Sequence, residues 1–204
     1  MNQKFVPYQV AKRHLQEGDV LLFRGHGLVS WIIKQAGRGD YSHCGLLTKC
    51  EDCFYVLEFR EFIGSRMIPI ETLLKEQSGE IDVYRPISPV PIIEFDLFTG
   101  IKIRQKTYDG KATSDCFKSF IGLPYGWKRI LIFIYRRFLL VRLFYKMKTD
   151  DGLNNGMINP VCSTAVCHAI AKTYVDPVPN LADSLVEPSD LGRSALFSYL
   201  FTLE

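Results

Sequence analysis

The chain has 204 residues, of which 47% are hydrophobic and 23% charged, with a formal net charge of +3. That length and balance suit one globular domain with a sizeable core. So small a charge gives no electrostatic case for nucleic acid as a partner.

Residues 1–17 read as an N-terminal arm or short helix, and they hold no apolar run of signal-peptide length. A cytoplasmic location is therefore expected, with Cys44, Cys50, Cys53, Cys116, Cys162 and Cys167 as reduced thiols. Val20 to Phe23 predicts a buried strand, Gly25-His26-Gly27 a turn, and Leu28 to Ala36 a short helix stopped by Gly37 and Gly39. His43 to Thr48 and Phe54 to Phe59 are strand-like runs about the polar turn Cys50-Glu51-Asp52-Cys53, which together make a hairpin. Met67 to Ile70 and Ile81 to Tyr84 continue the strands, with a brief helix from Glu71 to Gln77 between them.

After Pro86 the character changes. Ser88 to Ile93 reads as a loop or edge strand, and Leu97 to Tyr108 and Ala112 to Ile121 as helices. Thr149 to Pro160 is a polar loop, Cys162 to Thr173 a helix, and Pro188-Ser189-Asp190 starts a last short helix. The order is a mostly β first half and a mostly helical second half. This is an α+β chain of one domain spanning residues 1–204, with its core at about 18–195.

Lys128 to Met147, KRILIFIYRRFLLVRLFYKM, is long enough to cross a bilayer. Arg136 and Arg137 stand near its middle, however, and each central charge costs about 2.5–3.5 kcal/mol on insertion scales. A span is rejected. The segment is read as a helix with its apolar stripe on the core, or as a basic amphipathic surface in weak contact with lipid or another chain.

The candidate chemistry starts with a thiol. Pro160-Val161-Cys162-Ser163-Thr164-Ala165-Val166 places Cys162 where an irregular loop turns into a helix. Unpaired N–H groups and the positive end of the helix dipole favour thiolate there, and the same groups can hold an oxyanion. His43, entering a strand, suits a fixed base. If the hairpin turn holds Glu51-Asp52, Gly45 faces Glu58 and His43 lies diagonal to Glu58; a turn at Cys50-Glu51 would put His43 directly opposite Glu58, and either even-length turn leaves the two on one face. Glu58 is an acid in the apolar run Phe54-Tyr55-Val56-Leu57-Glu58-Phe59, where a carboxylate needs a partner and an imidazole N–H supplies one. His14 and His26 are less well held, and His168 lies six residues beyond Cys162 on its helix, too far round to face the thiol. Cys162 as nucleophile, His43 as base and Glu58 as orienter is the expected triad.

Asp19-Val20-Leu21-Leu22-Phe23, Ser30-Trp31-Ile32-Ile33, Tyr41-Ser42-His43-Cys44-Gly45-Leu46, Leu57-Glu58 and Cys162-Ser163-Thr164-Ala165-Val166 resemble the permuted papain-like amidases of the NlpC superfamily, YaeF/YiiX-like. In that family the histidine strand comes first, an acid follows on the next strand, and the cysteine helix comes late; the order His43, Glu58, Cys162 matches. Gly122-Leu123-Pro124-Tyr125-Gly126 also resembles the family's Gly-x-Pro-Tyr-Asp stretch, with Gly126 in place of the aspartate. The resemblance implies a small curled sheet or barrel packed on helices. It also implies cleavage of amide bonds, often in cell-wall peptides, without a cofactor.

Three other readings compete. Cys50-x-x-Cys53 with His43 and Cys44 holds zinc-type ligands, but Cys44 should face away from His43 and no second Cys-x-x-Cys exists, so no metal is expected. A thioesterase, phospholipase or acyltransferase would use the same acyl-enzyme chemistry on a lipid acyl substrate instead of a small peptide. A non-catalytic binding module would keep the fold alone.

Overall fold

The computed structural model describes residues 3–77, 79–96, 100–126, 160–179 and 181–204; the segment Lys128 to Met147 lies outside them. Strands form where apolar residues alternate or run together. They are β1 (Phe5–Val6), β2 (Val20–Arg24), β3 (His43–Cys50), β4 (Cys53–Arg60), β5 (Gly64–Pro69), β6 (Glu80–Pro86), β7 (Val90–Asp96), β8 (Gly100–Lys106) and β9 (Phe197–Leu203). The described helices are α1 (Tyr8–Ala11), α2 (Leu28–Gly37), α3 (Ile70–Glu76), α4 (Gly110–Lys118), α5 (Cys162–Thr173) and α6 (Pro188–Arg193), with a 3-10 turn at Asp183–Leu185.

One seven-stranded sheet runs β1-β9-β6-β2-β3-β4-β5, and β7 and β8 form a separate two-stranded sheet. The large sheet is open, with β1 and β5 at its edges, so the barrel alternative is set aside in favour of a mixed α+β sheet packed between helices. Its pairs are antiparallel except β1 with β9. The sheet takes in Phe5–Val6 and Phe197–Leu203, on either side of the expected 18–195 core.

Alternation along the strands sorts the apolar side chains onto two faces. Val20, Leu22, Cys44, Leu46, Leu57 and Phe59 pack against α4, α5 and α6. Leu21, Phe23, Leu47, Val56 and Ile81 pack on the other face, against α1 and α3. A helix predicted for Leu97 to Tyr108 gives way to β8. Ile101 and Ile103 alternate with Lys102 and Arg104, and Gly100 at φ 79° turns the chain back from β7.

Candidate active site

The β3–β4 hairpin fixes the first two groups. Cys50 stands opposite Cys53 and Gly45 opposite Glu58, so Glu51-Asp52 is the turn and His43 shares a face with Glu58. His43 Nε2 lies 2.7 Å from Glu58 Oε2. Gly45, opposite Glu58, lets β3 and β4 approach closely here, since a Cβ there would meet Val56 Cγ1 at 2.8 Å and the Leu57 carbonyl oxygen at 3.1 Å. Phe23 holds the other side of the imidazole, ring to ring at 5.0 Å.

Glu58 is fully buried and has a second partner that the sequence reading missed. Arg66, directly across from it on β5, donates from Nε to Glu58 Oε1 at 2.8 Å and from Nη2 to Glu76 at 3.1 Å. Burial alone would push the Glu58 carboxyl up. The bond and charge of His43, then those of Arg66, outweigh it and bring the carboxyl down to about 2.

The thiol arrives from the other side of the sheet. The paired residues of β3 and β4 run from Cys50–Cys53 to Gly45–Glu58 and stop, so His43 and Cys44 extend past the last rung. There Cys162, the first residue of α5, meets both of them. The Cys44 thiol donates to the Cys162 sulfur and is the largest influence on it. Burial opposes, and the charge of His43 and the Cys44 backbone N–H then help to hold Cys162 well below an ordinary thiol. Cys44 is pushed up in turn, by burial first and by that same hydrogen bond second. Burial also raises Cys116 and Cys167.

His43 answers the thiolate. Burial disfavours its charge, but the Cys162 thiolate and then Glu58 raise the imidazole to about 10. With Nε2 committed to Glu58, the remaining nitrogen, Nδ1, has no well-aligned hydrogen-bond partner among the described residues and is the one left for Cys162. At the start of α5 the N-cap residue, Val161, is apolar and brings no side-chain hydrogen bond to the first turn.

No family model matches the sequence, and no curated protein matches it. Among solved structures the outcome is different. The chain is similar to yiiX. The crystal structure of metalloprotein yiiX from Escherichia coli O157:H7 superposes with a TM-score of 0.58 at 14% identity, covering 91% of this chain and 96% of that one. At such identity the likeness shows the fold alone. yiiX is described as a metalloprotein, but the residues here do not suit a metal. His43 Nε2 and both Glu58 oxygens are already committed, and a cation at Glu58 would face the Arg66 guanidinium. Among the described residues no group of three or more His, Cys, Asp or Glu could hold an ion. Cys50 and Cys53 close the hairpin, while Cys44 lies in the α5-side core.

Of the remaining histidines, His168 packs on Phe120 with ring centroids 5.9 Å apart and has Nδ1 3.9 Å from Asp183. Tyr125, from the stretch resembling Gly-x-Pro-Tyr-Asp, is buried in the same core as Cys162, and Gly126 N donates to Pro160 O at 3.1 Å. All six cysteines are free thiols. No helix among the described residues is long and apolar enough to cross a membrane.

Proposed function

We propose that the protein is a cysteine-dependent hydrolase of amide bonds on a permuted papain-like fold. What carries this reading is the thiol held low at a helix start beside an imidazole raised to about 10, whose far nitrogen is bonded to a buried carboxylate. That is a thiolate–imidazolium pair ready for attack at neutral pH.

In this reading Cys162 Sγ attacks the carbonyl carbon, and the electron pair moves onto the oxygen. Backbone amides at the start of α5 hold that oxyanion. Nδ1–H of His43 gives its proton to the leaving amine, the C–N bond breaks, and a thioester remains on Cys162. Neutral His43 then removes a proton from water, hydroxide displaces the thiolate, and the acid leaves with the ion pair restored. Glu58 keeps the ring in place with Nε2 protonated throughout, and Arg66 keeps Glu58 ionised. Small cell-wall-type peptides are the proposed substrates, in keeping with the resemblance of the His and Cys segments.

The experiment is a trapping one. Wild-type protein is mixed with muropeptides or with short-chain lipid esters, quenched in acid, and weighed intact. Acyl adducts on Cys162 from the peptides support the amidase. Adducts from the lipids alone move the activity to the acyl-lipid class, and no adduct from either, with Cys162 accessible to iodoacetamide, defeats the reading.

A further inference from the structure

The β7–β8 hairpin has no place in the proposed chemistry. It forms its own sheet of two strands, an arrangement that is marginal in water without a surface to cover one face. Its register puts Ile93 opposite Ile103 and Phe95 opposite Ile101, so these four side chains share one face. That face is bare: the four are 74%, 68%, 75% and 71% exposed respectively. Contiguous apolar exposure of this kind marks an interaction surface.

Charge lies on the opposite face. Lys102 stands across from Glu94, and Arg104 Nε is 3.1 Å from Glu94 Oε2. Lys106 follows two residues on, again on the Lys102 side, so the β8 row Lys102, Arg104, Lys106 is wholly basic against a single well-placed acid. Lys102 and Lys106 form no ion pair among the described residues. Among the described residues β8 has no strand neighbour beyond β7, so these long side chains can bend around that edge to the level of the apolar face.

From this geometry we propose that the β7–β8 hairpin is a docking element for a lipid bilayer with anionic headgroups. The apolar face enters the boundary between headgroups and acyl chains, and the β8 basic row meets the headgroup charge. Two observations favour a bilayer over a protein. Four side chains supply far fewer than the roughly 20–30 residues a side of a standard protein interface. A bilayer also asks for no shape complementarity, so a small patch of branched and aromatic side chains is enough to enter it. The inference stands apart from the proposed hydrolase activity, and its test needs no substrate.

The full chain is floated with vesicles of phosphatidylcholine, and with vesicles of phosphatidylcholine mixed with phosphatidylglycerol. Salt-sensitive binding to the mixed vesicles is expected, with little to phosphatidylcholine alone. Phe95→Ser with Ile101→Ser should weaken it by more than about tenfold, and Lys102→Gln with Lys106→Gln by about thirtyfold at low salt. Phe95, Ile101 and Lys102 are exposed and Lys106 is half-buried, and near-UV circular dichroism checks that each variant is folded. Absence of vesicle binding overturns the proposal. So does binding that survives Phe95→Ser with Ile101→Ser, which would place the contact elsewhere in the chain. A dimer by light scattering that the same pair of substitutions dissolves would also overturn it, because a second copy would then be the occupant.

Discussion

Replacing Glu58 by Gln separates the charge of the carboxylate from its shape. The side chain is fully buried, 2.7 Å from His43 Nε2, and takes the Arg66 Nε hydrogen bond at 2.8 Å on its other oxygen. An amide has one acceptor and one donor end, so it cannot satisfy two donors. If its oxygen stays on Arg66, its NH2 faces His43 Nε2, which must then be unprotonated, and imidazolium is lost. If it turns the other way, NH2 meets guanidinium. Removing one member of a buried ion pair costs about 3–5 kcal/mol. Arg66 keeps Glu76 and is 20% exposed, which argues for the lower end. The carboxyl's descent from 4.5 to about 2 corresponds independently to about 3 kcal/mol. The melting temperature should fall by about 6–12 °C. The decisive assay follows alkylation of Cys162 by iodoacetamide against pH. Wild type should react at nearly constant rate across the neutral range, where thiolate and imidazolium coexist. The variant should lose at least about tenfold at pH 6 and regain it as pH rises through the ordinary thiol range. A variant profile that overlays wild type would show that Glu58 does not set the charge of the pair, and the account of the site would fall.

Limited iodoacetamide labelling with peptide mapping should modify Cys162 before Cys44, Cys116 or Cys167, all three of which are raised by burial. His43→Ala should lower turnover on the order of 10²–10⁴-fold, more than Glu58→Gln does, with near-full activity pointing to a different base. The low carboxyl of Glu58 contributes stability that is present above its ordinary pKa and lost as pH falls from about 4.5 towards 2; the raised His43 contributes stability that is present below 6.5 and lost as pH rises through about 10. Urea unfolding across pH should therefore show losses at both ends, and the acid loss should shrink in Glu58→Gln. Gly45→Ala, which drives a methyl into Val56 and the β4 backbone, should cost about 1–3 kcal/mol in thermal unfolding.

The hairpin that carries His43 and Glu58 was legible because its turn has an even length and side chains alternate with period two. The α5 start was legible from the change of a polar, Asn/Gly-rich sequence into an apolar one at Cys162. Arg66 was not, because the strand was read as beginning at Met67 whereas β5 begins at Gly64. A signal existed, since a fully buried carboxylate has more lone pairs than one imidazole N–H can satisfy. Cys44 was correctly read as facing away from His43, yet its contact with Cys162 depends on where β3 and β4 stop pairing, which no local pattern encodes. The segment from Leu97 was read as helical although Ile101-Lys102-Ile103-Arg104 alternates strictly. Phe197–Leu203 went unread as a strand, because its place is set by β6 and β1, both more than a hundred residues earlier.

The position of β9 also bears on how the chain comes to be folded. It lies between β1 and β6, with Thr202 beside both Phe5 and Asp82. During synthesis, β6 and the strands beyond it can assemble early, but the flank of β6 stays open until residues 197–203 have emerged. For most of translation the nascent protein therefore offers an unpaired edge beside buried-type side chains such as Ile81 and Val83, the kind of template that recruits other chains. Closure joins segments almost two hundred residues apart in sequence, so it is a late, slow event. Expression at low temperature, or with a chaperone that shields strand edges, should raise the soluble yield more than any surface substitution far from β6.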